Sequence, residues 1–240
     1  MKKLLLALAL LASAPRRAED AAAILAKVDA YRTPLDSFSI DVELTAYTPH
    51  DKAESSKFRV YGKGGDRSVV EFMAPSSEKG KLLLMLRDSM WIYMPTASRP
   101  IRISPLQRLM GQASNGDVAR TSFTVDYVAK SVTEGEWEGH KAFVLDLAAK
   151  DADIAYSRVQ LWIDKASYEP LRADFYVVSG KLIKRAVYRE FGQMAGRRVV
   201  TAIEIDDLLR PGNRTMMRYA NLTPKVNADR MFTKDALGKW

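Results

Sequence analysis

Most of the chain alternates apolar and polar residues with the two-residue period of a β-strand, and this pattern restricts the possible folds more than any other feature. The segment from Phe38 to Ala46 shows it clearly, because its apolar residues hold every second position. Turn-forming runs such as Gly64-Gly65-Asp66 separate these segments. The pattern predicts about a dozen consecutive antiparallel strands, and a sheet of that size must curl, close on itself or split.

The predicted strands are short and are bounded by Gly, Pro, Asp or Ser residues. In chain order they cover 38–46, 58–63, 68–73, 82–87, 90–94, 126–133, 142–149, 158–164, 171–178, 182–191, 197–206 and 215–220. A helix is predicted from about Glu19 to a point before Pro34, and a short helix for Leu106 to Met110 within a polar, mobile loop. The segment from Asp229 to Leu237 is predicted as a turn or short helix. Because no repeat or low-complexity linker interrupts the pattern, we expect one domain over 18–240.

The hairpin predicted over 82–94 differs from the other strands, because it is apolar on both faces. Leu82 and Leu84 share one face of the first strand, whereas Leu83 and Met85 share the other. A strand of this kind is buried on both sides. We therefore expect both faces of this hairpin to be covered.

Residues 1–14 have the features of a secretory signal. Two lysines precede the apolar run Leu4 to Ala12, and Ala12-Ser13-Ala14 matches the small-x-small cleavage rule. A transmembrane anchor is the alternative, but the run is about half of the ~20 residues that span a bilayer. We therefore expect a soluble, periplasmic mature protein that begins near Pro15.

Composition excludes several classes of function. The chain contains no cysteine, which excludes disulfides, thiolate zinc sites and iron–sulfur clusters. The formal net charge is +8, and loss of the two lysines of the signal leaves +6. The basic residues are scattered singly rather than grouped with aromatic residues, so no nucleic-acid partner is predicted. A transient contact with anionic lipid headgroups remains open.

No catalytic residue, metal site or cofactor is predicted. The two histidines, His50 and His140, both lie in turn sequences at strand ends. The chain lacks the Gly-x-Ser-x-Gly motif of serine nucleophiles, and the glycines of 62–66 lack the Lys-Ser/Thr of a phosphate-binding loop. We therefore expect no enzyme, with a periplasmic hydrolase as the alternative least supported by the residues.

Aromatic and methionine residues are abundant, with 10 Met, 4 Trp, 10 Tyr and 8 Phe. Methionine adapts its shape to irregular ligands, so a lipid-binding cavity is one interpretation of this abundance. An ordinary hydrophobic core is the other. Composition alone does not decide between them.

Two central runs resemble the signature of the outer-membrane lipoprotein-sorting, or LolA-like, periplasmic proteins. They are Arg99-Pro100-Ile101-Arg102-Ile103-Ser104 and Arg108-Leu109-Met110-Gly111-Gln112-Ala113-Ser114-Asn115-Gly116-Asp117-Val118-Ala119. Four flanking runs also fit, so the resemblance covers most of the chain after the signal; they are 80–85, 90–95, 170–176 and 179–182.

This resemblance implies a strongly curved antiparallel sheet that forms an incomplete barrel, with an N-terminal helix and a short mid-chain lid helix. Its concave apolar face would receive acyl chains. The residues expected to line that cavity are Val42, Leu44, Leu84, Leu86, Trp91, Tyr93, Phe143, Leu145 and Phe175. The lid would present Leu106, Leu109 and Met110, and lid or headgroup hydrogen bonds would come from Arg102, Arg108 and Arg120.

The resemblance also implies a function. A LolA-like protein carries lipoprotein or lipid acyl chains through the periplasm, from an inner-membrane transporter of the RND or ABC type toward the outer membrane. The outer-membrane acceptor of that pathway needs a lipid-bearing cysteine, which this chain lacks, so the chain resembles the soluble carrier. The alternative is an interaction module that docks on the transporter without carrying a ligand.

Overall fold

The computed structural model describes residues 18–32, 35–49, 53–97, 99–119 and 122–239. The predicted signal over 1–14, His50 and Arg120 lie outside the described residues. No helix within the described ranges is long and apolar enough to cross a membrane.

The first part of the chain is one helix followed by six antiparallel strands that extend in order toward one edge of a sheet. The elements are α1 (Ala18–Arg32), β1 (Ser37–Tyr47), β2 (Ala53–Lys63), β3 (Arg67–Ala74), β4 (Leu82–Leu86), β5 (Ser89–Tyr93) and β6 (Ile101–Ile103). The predicted N-terminal helix is confirmed, as are the strands of the 82–94 hairpin.

A connecting segment of short elements follows β6. It contains β7 (Arg108–Met110), β8 (Ala113–Ser114), α2 (Asn115–Ala119) and α3 (Phe123–Asp126). Ala113, Val118 and Phe123 are buried in the same core as the inward side chains of the sheet. The segment therefore packs on the concave face of the sheet and fills part of it.

The short helix predicted over Leu106 to Met110 is wrong, because these residues form a turn and then strand β7, which pairs with β8. Gly111 closes this small hairpin with a φ of 54°, and a Cβ at Gly111 would lie 2.5 Å from that of Ala46. The helix forms at α2 instead. There Asp117 N–H donates to Ser114 Oγ while Ser114 N–H donates to the Asp117 carboxylate at 2.7 Å, which is a capping box.

The second part of the chain is a seven-strand meander that returns to the centre of the sheet. Its strands are β9 (Tyr127–Trp137), β10 (His140–Ala149), β11 (Arg158–Asp164), β12 (Pro170–Tyr176), β13 (Leu182–Met194), β14 (Arg197–Asp207) and β15 (Arg214–Pro224). Two 3₁₀ turns, Asp229–Phe232 and Lys234–Ala236, follow. The predicted turn or short helix over 229–237 is confirmed.

All strands except β7 and β8 belong to one sheet of 13 strands, in the order β6-β5-β4-β3-β2-β1-β15-β14-β13-β12-β11-β10-β9. The first and last strands pair antiparallel at its centre, where Val42 lies opposite Tyr219. Bulges in β15, β9 and β13, where the register with the neighbouring strand shifts by one residue, bend the strands. The sheet curls without closing, because β6 and β9 remain its two edges, as predicted for an incomplete barrel.

Helix α1 is held against the connecting segment by one buried carboxylate. Asp29 is 8% exposed and accepts hydrogen bonds from the backbone N–H groups of Phe123 at 2.8 Å and Thr124 at 2.7 Å. It also accepts bonds from the hydroxyls of Ser122 and Thr124, both at 2.7 Å. Because Asp29 caps the start of α3, the two helices pack on the concave face as one unit.

The convex face of β3 to β5 is covered by the C-terminal segment. Phe232 and Leu237 pack there against a buried cluster formed by Tyr61, Val69, Leu82 and Leu84, with Leu86, Trp91 and Tyr93 partly buried around it. Asn227 anchors the segment by donating to the carbonyls of Phe38 at 2.9 Å and Gly62 at 3.0 Å. The expectation that both faces of this hairpin are covered is confirmed.

Candidate functional site

Two adjoining cavities lie between the concave face of the sheet and its helices. The first contains about 590 Å³ of space between atoms, and the second about 530 Å³. Arg32 and Ile203 line both cavities, so the two spaces meet at these residues. Both volumes include open solvent at the mouths, and the room inside for a guest molecule is much smaller, so the two cavities are narrow clefts.

The walls of both cavities are mainly apolar. Apolar residues of the first are Phe123, Tyr127, Ala155, Phe175, Ala186, Ile205 and Met217, and those of the second are Phe38, Ile40, Val42, Val60, Val118, Val199, Val200 and Leu222. Strand β14 contributes Ile205 to the first cavity and Val199 to the second. These two residues are six steps of ~3.3 Å apart along the strand, so the combined space is ~20 Å long. For comparison, an acyl chain spans one leaflet of a bilayer core, which is ~15 Å thick.

The structure brings some of the predicted cavity residues to this space and not others. Val42 lines the second cavity and Phe175 the first. Leu44, Phe143 and Leu145 are buried in the concave core but line neither cavity.

The prediction for the hairpin residues Leu84, Leu86, Trp91 and Tyr93 is wrong. They lie on the convex face beneath the C-terminal segment, while Leu83, Met85 and Met90 belong to the concave core. The physical reason is that alternation identifies the residues that share a face but not the face that turns inward. Contact with Phe232 and Leu237, far along the chain, decides it here.

The predicted lid residues lie around an outer groove of about 680 Å³. Leu106 is 43% exposed and lines the groove with Arg108, Leu209 and Arg210. Leu109 and Met110 are half-buried against the concave core. They therefore belong to the β7–β8 hairpin that packs on the sheet, not to a helix.

The three predicted arginines are in three different situations. Arg108 lines the outer groove. Arg102 lies on the edge strand β6, where it donates to Ser89 Oγ at 3.3 Å and lies 3.5 Å from Asp153. Arg120 lies outside the described residues, and Arg102 does not line either inner cavity.

A buried polar network separates the outer groove from the first cavity. Lys184, which is 8% exposed, donates to the Asp117 carboxylate and, at 2.6 Å, to Tyr156 Oη. Tyr156 Oη donates to Asp117 at 2.9 Å and lies 3.3 Å from Ser114 Oγ. Burial and then the Asp117 charge raise the pKa of Tyr156 well above its usual range, so its hydroxyl keeps its proton.

Sequence analysis did not identify this network, although one signal was present. Lys184 has the same parity in β13 as Ala186 and Tyr188, whose side chains face the core. A lysine at an inward position of a strand requires a partner or a ligand. Its partners, Asp117 and Tyr156, come from segments remote in the sequence.

Arg32 lies where the two cavities meet. Its guanidinium carbon is 4.1 Å from the ring centroid of Phe123, and it makes no hydrogen bond or ion pair with another described residue. Burial raises the pKa of Tyr188 and of Tyr219, so these neighbouring phenols also remain neutral. The Arg32 cation thus lies among apolar side chains and neutral phenols, and, although burial acts in the opposite direction, the charges of the buried carboxylates Asp29 and Asp126 help to raise its pKa.

Two further polar clusters of the described residues lie away from the cavities. His140 is exposed, and its Nδ1 lies 2.9 Å from Asp164 Oδ2, in a turn where Asp164 also accepts from two backbone N–H groups. Carboxylate oxygens of Asp88, Asp151 and Asp153 lie within 4.8 Å of one another at the surface. Arg102 faces this acidic group through Asp153.

Comparisons with family models, curated proteins and solved structures were made for this chain. A family model described as "Uncharacterized protein" matches residues 64–239, and a search of curated proteins found no match. The chain is similar to a LolA superfamily protein from Nitrosomonas europaea, with 35% identity and a TM-score of 0.84 over 90% of this chain and 98% of that one.

Two more distant structures share the fold. An outer membrane lipoprotein-sorting protein domain from Vibrio parahaemolyticus has 19% identity and a TM-score of 0.75, over 93% of this chain and all of that one. A DUF1329 family protein from Desulfovibrio piger has 23% identity and a TM-score of 0.74, over 92% of this chain and 98% of that one.

Proposed function

This chain belongs to the LolA superfamily, and we propose that it is a periplasmic carrier that holds lipid or lipoprotein acyl chains inside its half-barrel. It would take them from an inner-membrane transporter of the RND or ABC type and move them toward the outer membrane. The observation that carries this proposal is the pair of adjoining apolar cavities, whose combined length matches an acyl chain. The lipoprotein-sorting description of the Vibrio protein supports the same class of cargo.

Energetics explain why such a cargo needs a carrier. Exposure of an acyl chain to water costs about 0.8 kcal/mol per methylene, or ~12 kcal/mol for a chain of about fifteen methylenes. The cavities are narrow in this structure, so a chain must push the covering helices aside to enter. That work offsets part of the gain and leaves a moderate affinity, which permits release at the destination.

The cover suited to this movement is the connecting segment with α2 and α3. It touches the strands through separate polar contacts: Ser68 Oγ donates to the Ala119 carbonyl at 2.9 Å, and Gln112 N–H donates to Thr215 Oγ1 at 2.7 Å. Contacts of this kind can break one at a time without unpairing the sheet. The lid function predicted for Leu106 to Met110 is therefore proposed for this longer segment.

Filling the first cavity tests the proposal. Ala186→Phe places a ring among the residues that line the cavity, whereas Ala148→Phe places the same ring on the outward side of β10. We expect the first variant to bind a neutral fluorescent probe, N-phenyl-1-naphthylamine, at least about tenfold more weakly than the unmodified protein does. The Ala148→Phe control should bind like the unmodified protein.

Lipid extracted from the purified protein by organic solvent and identified by mass spectrometry provides an independent measurement. Absence of both co-purified lipid and probe binding would refute the carrier function. If the Ala186→Phe variant also retained association with an envelope transporter, the result would favour the docking module that carries no ligand.

A further inference from the structure

The Lys184 network marks a boundary between two environments. On one side lies the narrow apolar cavity that begins with Phe175 and Ala186, and on the other lies the open groove beneath Leu106. Lys184 and Tyr156 line both spaces. An occupant that extends from the groove into the cavity must therefore pass beside the Lys184 ammonium.

The groove has an excess of positive charge. Arg108 and Arg210 line it, are exposed, and form no ion pair with another described residue. The lining carboxylate Asp207 is engaged with its own turn, because its Oδ1 accepts from the N–H groups of Leu209 and Arg210. The two guanidinium groups are thus free to bind an anion.

The rim of the groove combines these cations with exposed apolar side chains. Leu106 is 43% exposed and Leu209 is 50% exposed. A ligand that fits such a surface has an anionic head beside apolar carbon atoms. Arg32 offers a second cation, but it lies in the narrow middle of the space against the Phe123 ring, where a hydrated head has no room.

We propose that the cargo is an anionic amphiphile, with a carboxylate or phosphate head bound by Arg108, Arg210 and Lys184 in the outer groove and an acyl chain lying along β14. This inference rests on the proposed carrier function and specifies its substrate class. The head replaces Asp117 as the partner of Lys184. This exchange leaves the buried Asp117 carboxylate of α2 without its cation, which favours movement of α2 and couples occupancy to opening of the covering segment.

The test compares ligands that share one acyl chain but differ in the head. Delipidated protein is loaded with N-phenyl-1-naphthylamine, and displacement is measured with palmitate, palmitoyl lysophosphatidylglycerol and neutral monopalmitin. We expect both anionic ligands to bind at least about tenfold more tightly than monopalmitin. Inorganic phosphate and glycerol phosphate, which lack the chain, should displace no probe.

Variants locate the head. Arg108→Gln combined with Arg210→Gln should reduce the preference for the anionic ligands to about twofold or less while probe binding persists. Lys130→Gln, an exposed lysine on β9, is the matched control and should retain the preference. The paired variant Lys184→Met with Asp117→Asn removes the buried charges together and should also abolish it.

The possible failures are distinguishable. If no probe binds to the unmodified protein and no lipid co-purifies with it, the carrier function itself fails. If the probe binds but monopalmitin matches the anionic ligands, the carrier stands and the substrate class is wrong. Loss of the preference in Arg32→Gln but not in the Arg108 and Arg210 double variant would place the head elsewhere and overturn the proposal.

Discussion

Replacement of Asp29 by alanine is expected to detach α3 from α1 without unfolding the sheet. The carboxylate accepts four hydrogen bonds from residues 122–124, two of them from backbone N–H groups. The hydroxyls of Ser122 and Thr124 lie 3.0 Å apart and can bond each other once Asp29 is gone. The two N–H groups have no such substitute, so they account for most of the loss.

The magnitude follows from these two bonds. A hydrogen bond to a charged group contributes ~1.5–3 kcal/mol, so loss of both lowers the free energy of local opening by ~3–6 kcal/mol. Since each 1.4 kcal/mol is a factor of ten, amide exchange over 115–126 should accelerate by at least about 10²-fold. Faster opening should also increase the association rate of a neutral apolar probe.

Hydrogen exchange measured by mass spectrometry, with stopped-flow probe binding, checks this prediction. Asp36→Ala is the matched control, because that carboxylate is exposed near the start of β1 and should change neither rate. If exchange over 115–126 kept its original rate while global stability fell, Asp29 would support the whole fold. The reasoning that treats it as a local attachment would then be wrong.

Two further predictions concern stability. Phe232→Ala uncovers the convex face of β3 to β5 and should lower the free energy of unfolding, measured by urea titration, by about 3 kcal/mol. The control Arg230→Ala changes an exposed side chain and should alter that free energy by less than ~0.5 kcal/mol. A loss below ~1 kcal/mol for Phe232→Ala would show that the segment is not a structural cover. Burial opposes ionisation of Asp174, but hydrogen bonds from Arg172 and Arg185 outweigh burial, so the pKa of Asp174 in the folded protein is lowered. The ionised carboxylate therefore stabilises the fold at pH values above the ordinary pKa of ~3.9, and this stabilisation is lost as pH falls through the lowered pKa. Asp174→Asn should therefore flatten the fall of Tm below about pH 4, and an unchanged slope would contradict this assignment.

Local patterns accounted for most of the secondary structure. The alternation in segments such as 38–46 predicts strands because side chains of one strand face opposite sides of a sheet. The helix at α1 and the turns at Gly64-Gly65-Asp66 have equally local causes. The resemblance of 99–119 to the LolA-like proteins then supplied the curvature of the sheet, which no single segment encodes.

What could not be predicted depends on contacts between distant segments. The inward face of β4 is decided by Phe232 and Leu237, and the partners of Lys184 come from α2 and the β10–β11 connection. The prediction of a helix at Leu106 to Met110 did not use a local signal that was present, because Ser114 and Asp117 have the spacing of a capping box. Apolar content alone was a weaker guide than that cap.

The pairing of β1 with β15 also determines how the protein can reach its folded state. Each half of the sheet is a meander of neighbouring hairpins that can form locally, whereas the central ladder joins opposite ends of the chain. Closing a loop of that length costs on the order of 4–5 kcal/mol of chain entropy. We therefore expect two early folding units and a late, slow docking step along the ladder that joins Val42 to Tyr219.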